Sequence, residues 1–106
     1  MKIHVPLLSA AEQGAQAGLR AGMKQMLEVS NGLAPKDDED LVDSGVVRVD
    51  DLTGQVSYDA VHALWQHERL DFIHADGGRA KYLETAAEMV DVDEFIARGI
   101  GEALGG

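Results

Sequence analysis

Three of the chain's four histidines, His62, His67 and His74, fall within 23 residues, HALWQHERLDFIHADGGRAKYLE (62–84), together with its only tryptophan. Imidazoles this close raise a metal site first. A helical ligand pair wants a spacing of i,i+4, and His62 and His67 are five apart. His67-Glu68 has the opening of the metalloprotease motif, but the second histidine of that motif should fall where Asp71 stands. A three-histidine site assembled in space stays open as an alternative, a small metal-dependent enzyme using His62, His67 and His74.

Other chemistries find less support. The serines are Ser9, Ser30, Ser44 and Ser57, none of them in a G-x-S-x-G elbow, and there is no cysteine nucleophile. Gly77-Gly78 lacks both dinucleotide-binding and Walker patterns. The carboxylates of 37–43 sit in a polar stretch with no apolar wall to raise a pKa. Catalysis is therefore not expected, and no cofactor is implied. What remains is contact. Trp65, His67, Phe72, His74, Arg79 and Tyr82 are of types enriched at buried protein interfaces, and Gly77-Gly78 allows a tight reversal. The competing reading is that Trp65 and Phe72 pin the segment to the chain's own core.

The elements that must position these residues follow from patterning. Ser9-Ala-Ala-Glu12 is a capping box, and Ala15, Leu19, Met23, Met26, Leu27 and Ser30 follow at helical spacing. Asn31-Gly32 and Pro35 close the element, which predicts a helix over about 10–31. Gly14, Gly18 and Gly22 recur every fourth residue along it, which admits another backbone closely, either a sheet packed in the same chain or a neighbouring subunit, with packing within the chain expected. VVRVDD (46–51) and QVSYDA (55–60) alternate as the strands of a hairpin. Residues 60–68 fit helix or strand, 75–79 read as loop, and 82–104 form a helical stretch that Asp91 or Asp93 could interrupt by capping a fresh helix. The expected class is α+β in a single domain, 1–106. It has a long N-terminal amphipathic helix, a small antiparallel sheet with exposed edges, an ordered aromatic and histidine loop, and a C-terminal helix.

Composition bounds the partners. The formal charge is −10, which disfavours nucleic acid or anionic lipid as the main target. Charge is uneven: Lys2, Arg20, Lys24 and Lys36 outnumber Glu12 and Glu28 in 1–36, whereas 37–51 holds seven acids against Arg48. Such asymmetry could complement itself between copies or merely mark a solvated acidic loop. The start lacks the apolar stretch of a signal peptide, nothing approaches the roughly 20 apolar residues of a membrane span, and the absence of cysteine suits a cytosolic protein.

The run V-S-Y-D-A-V-H-A-L-W-Q-H-E-R-L-D-F-I-H-A-D-G-G-R-A-K-Y-L-E (56–84) resembles a signature of small tailed-bacteriophage minor capsid, head–tail connector or tail-completion proteins. A-P-K-D-D-E-D-L-V-D-S-G (34–45) is similar to the alanine-proline, acidic loop and serine that precede a hairpin in that family. The match departs at Val61-His62-Ala63, where the family more often has Tyr-Ala. Most of the chain is covered, with 65–84 the specific part.

The resemblance implies a structural virion protein of the phage neck, assembled in the bacterial host cytoplasm. It would form a ring of itself, sixfold like the tail tube or else twelvefold. Its neighbours would be the head-closure (stopper), tail-terminator and tail-tube proteins, with genomic DNA passing through without specific binding and no membrane involved. On this reading Trp65 and Tyr82 anchor the ring contact, and His67, Glu68 and Lys81 fix its register. Gln66, Phe72, His74, Gly77 and Gly78 complete that contact surface. A second contact loop would comprise Pro35, Lys36, Asp37, Asp38, Glu39 and Asp40, ordering on joining. An acidic cytosolic interaction module is the other non-enzymatic alternative.

Overall fold

The computed structural model describes residues 9–34, 42–58, 61–66, 69–74 and 81–105. Its first element is helix α1, Ala10–Leu33. The capping box is present in both directions: the Ser9 hydroxyl accepts from the Glu12 backbone, and the Glu12 carboxylate accepts from the Ser9 backbone at 2.9 Å. That hydrogen bond from the Ser9 backbone, and then its side chain, hold the exposed Glu12 carboxyl below its ordinary range. At the other end Ala34, in extended backbone, donates to the Ser30 carbonyl.

Four strands follow as a meander in the order β1-β2-β3-β4, every neighbour antiparallel. They are β1 (Val46–Asp50), β2 (Thr53–Ser57), β3 (Val61–Gln66) and β4 (Arg69–His74). Asp50 pairs with Thr53, so Asp51-Leu52 forms a two-residue turn in which Asp51 takes φ 53°, a left-handed conformation that aspartate tolerates. Two helices close the fold, α2 (Lys81–Met89) and α3 (Val92–Ala103). Of the two expected caps, Asp91 and Asp93, the break between them uses Asp91, whose carboxylate accepts from the Glu94 backbone at 3.2 Å.

The helices lie on one face of the sheet. Alternation decides which: Val56 on β2 and Val61, Ala63 and Trp65 on β3 are buried with Leu19, Met23 and Met26 of α1. Leu83 and Ala86 of α2, with Val90 and Val92, complete this core. At Gly54 a Cβ would come within 2.8 Å of Met23 Cγ and 3.0 Å of Leu19 Cδ1, so a bare backbone is what seats α1 on β2.

The glycine row of α1 packs within the chain, but against a helix and not the sheet expected for it. A Cβ at Gly18 would strike the Phe95 carbonyl and lie 2.7 Å from Ile96 Cα, while one at Gly99 would lie 3.0 Å from Gly18 Cα. Helices α1 and α3 therefore meet backbone to backbone along Gly14, Gly18 and Gly99, the contact that small residues permit and any side chain forbids. Among the described residues no helix is long and apolar enough to cross a membrane.

Candidate functional site

The segment predicted as an aromatic and histidine loop is, up to residue 74, a β-hairpin. Its register runs Val61↔His74, His62↔Ile73, Ala63↔Phe72, Leu64↔Asp71, Trp65↔Leu70 and Gln66↔Arg69. A period of two then sorts the side chains. Trp65 points inward and is 9% exposed, and Phe72, opposite Ala63, packs half-buried against the same core. The indole of Trp65, expected as an anchor for a partner, packs in this chain against its own core, where it holds β3 to the helices. Tyr82, on the first turn of α2, is half-buried against the core with its ring edge-on to Tyr58, centroids 5.6 Å apart.

Of the other expected contact residues, Gln66 and Lys81 are exposed, at the end of β3 and the start of α2. His74 closes β4 opposite Val61. His67, Glu68, Gly77 and Gly78 lie outside the described residues, as does the whole second contact loop, Pro35, Lys36, Asp37, Asp38, Glu39 and Asp40. The structure thus sets Trp65, Phe72 and Tyr82 against one core but spread along the sheet: Trp65 level with Gly54 at the start of β2, Phe72 level with Val56, and Tyr82 against Tyr58 past the end of β2.

No group of three or more His, Asp or Glu side chains among the described residues is arranged to hold a metal ion. His62 is half-buried on the sheet face away from the helices, its Nδ1 3.0 Å from Gln55 Nε2 across the β2–β3 pair. His62 and His74 occupy register positions of opposite parity, opposite Ile73 and Val61 respectively.

Tyr58 forms a polar cluster that spacing alone did not suggest. Its hydroxyl lies 2.6 Å from Asn31 Oδ1 and 2.9 Å from Ser30 Oγ. With one proton to give, it donates to the amide oxygen, and the fully buried Ser30 hydroxyl donates back to it. Burial pushes the Tyr58 phenol up from its ordinary pKa, with the Ser30 hydrogen bond acting the other way. Both partners come from the last turns of α1, so the cluster ties that helix to the end of β2. Its role is positional.

What the fold leaves open is the other face of the sheet and its two edges. Val46, Arg48 and Asp50 on β1, Gln66 on β3 and Arg69 on β4 are exposed, and Thr53, Gln55, Ser57, His62, Leu64 and Asp71 are half-exposed. Among the described residues nothing covers this face. Among the described residues β1 pairs only with β2 and β4 only with β3, so each presents a backbone edge that no described strand fills. The alternation in VVRVD and RLDFI carries a signal for these surfaces that a search for catalytic groups passes over. Comparison with protein-family models, curated proteins and solved structures finds no match to the chain.

Proposed function

We propose that the chain is a structural subunit of a tailed-phage neck, one copy in a ring that joins the DNA-filled head to the tail. The observation that carries this reading is the run of residues 56–84, with Gln66-His67-Glu68 and Gly77-Gly78-Arg79-Ala80-Lys81-Tyr82-Leu83-Glu84 as its specific parts. The geometry is in keeping with it. A sheet covered on one side and open at both edges is a module that other chains can complete.

On this reading function is assembly. Trp65, Phe72 and Tyr82 supply the rigid support. The contacts fall to groups that reach solvent, Gln66 and Lys81 among them, and to the sequences at 35–40, 67–68 and 75–80 that flank the elements. The ring would sit between the head-closure layer and the tail terminator, within the virion, with an acidic lumen that repels DNA phosphate and lets the genome slide.

Native mass spectrometry and negative-stain images of the purified chain, alone and mixed with head-closure and terminator proteins, test this. Closed rings of six or twelve copies are expected. A monomer under all of these conditions overturns the reading and leaves an acidic interaction module in its place.

A further inference from the structure

The two open edges have matching sequences. If β4 of one copy is laid antiparallel beside β1 of the next, one register pairs all five residues of β1. Val46 then faces Ile73, Val47 faces Phe72, Arg48 faces Asp71, Val49 faces Leu70 and Asp50 faces Arg69. On the outer face both charged pairs are opposite in sign, and on the core face both pairs are apolar.

Neighbouring registers of the same parity fail. A two-residue slip one way sets Arg48 against Arg69, and the other way sets Asp50 against Asp71, and directly opposed like charges destabilise a ladder. A one-residue slip turns the apolar positions of one strand onto the polar face of the other. The direction is right as well: in a four-stranded meander β4 runs antiparallel to β1, so adding a copy continues the alternation without a break.

The core supplies an independent observation. Central-strand residues Val56, Ala63 and Trp65 are buried, whereas Val47 and Val49 on β1 and Leu70 and Phe72 on β4 are only half-buried. These are the residues the register would bring together. Neither strand carries a proline or a lysine, the usual means of blunting an edge.

We infer that copies of this chain join edge to edge, β1 of one to the β4 of the next, as one continuous antiparallel sheet held in register by Arg48–Asp71 and Asp50–Arg69 pairs. The contact is head-to-tail, so it closes into a ring or runs on as a filament according to the rotation per copy. It rests on the ring reading only for closure.

The chain has no cysteine, which makes disulfide trapping clean. Within one copy, positions 48 and 71 lie in the same row on β1 and β4, three strand spacings or roughly 14 Å apart, too far to bridge. Between copies they would stand directly opposite, with Cβ atoms about 4.5–5.5 Å apart. Oxidation of the Arg48→Cys/Asp71→Cys double variant should therefore give a ladder of dimers, trimers and higher species on a non-reducing gel. Val46→Cys/Arg69→Cys, four residues out of register, should give at least tenfold less.

Equal yields from the two variants overturn the pairing. So do dimers formed equally well by Arg48→Cys or Asp71→Cys alone, which would mean like edges meeting. Closed rings of the wild type, with no trapping in the Arg48→Cys/Asp71→Cys variant, sink the edge pairing and keep the ring. A ladder without a closed species keeps the edge pairing and sinks the ring.

Discussion

Tyr58 shows how a single side chain can be fixed by position, its hydroxyl tied to two residues at the end of one helix. Replacing it by Phe removes the hydrogen bonds to Asn31 and Ser30 and leaves the Ser30 hydroxyl buried beside a ring. The cost at neutral pH should be about 1–2 kcal/mol, read by urea denaturation. The pH dependence has a definite sign. A phenol whose folded pKa is raised gives its full stability below the ordinary value near 10 and loses it as pH rises through the raised one. The wild type should therefore weaken above about pH 10 more steeply than Tyr58→Phe. Ser9 and Glu12 were legible in the sequence because a capping box is local, four residues of hydrogen-bond logic. Trp65 was not decided there. Its burial depends on β3 being a strand, and that depends on pairing with β2 and β4.

At the level of elements, helix α1 was legible nearly to the residue, predicted over 10–31 and found as Ala10–Leu33. The β1–β2 hairpin and the break before Asp91 were readable from alternation and capping. Residues 60–68 are ambiguous in sequence because Ala60, Ala63, Leu64 and His67 fit one helical face while Val61, Ala63 and Trp65 fit one strand face; non-local pairing makes 61–66 a strand. β4 falls inside the stretch expected as an aromatic and histidine loop, and only its partner strand gives the charges of RLDFIH an outer face. The glycines of the helices separate by environment in a way composition could not foretell. Gly99→Ala would gain up to about 1 kcal/mol in helix propensity but forces a methyl against the Gly14 carbonyl and Gly18 backbone, a clash of about 1–3 kcal/mol or more. Gly101, two residues on, has nothing within 4 Å of an added Cβ. Gly99→Ala should lower Tm and Gly101→Ala raise it, by thermal scans of the two variants side by side.

For the whole molecule, the charge of −10 sets copies against one another at long range, whereas an edge contact acts over a few ångströms. Salt separates the two. The Debye length falls from about 30 Å at 0.01 M to about 8 Å at 0.15 M, so repulsion between whole copies is screened well before directly opposed pairs are. The assembled fraction should thus rise between these ionic strengths, followed by sedimentation velocity at fixed protein concentration. A fall would mean that exposed ion pairs dominate the association. The glycine seam between α1 and α3 also bears on how the chain is made. Residues 14–22 are poor helix formers by themselves, three glycines in nine, and their covering backbone comes from residues 92–103. On the ribosome, α1 is made well before the segment that covers its glycines. Until residues 92–103 are free of the ribosome, α1 has only its seats on the sheet and on α2, and native folding, with any joining of copies that requires it, is held back until then.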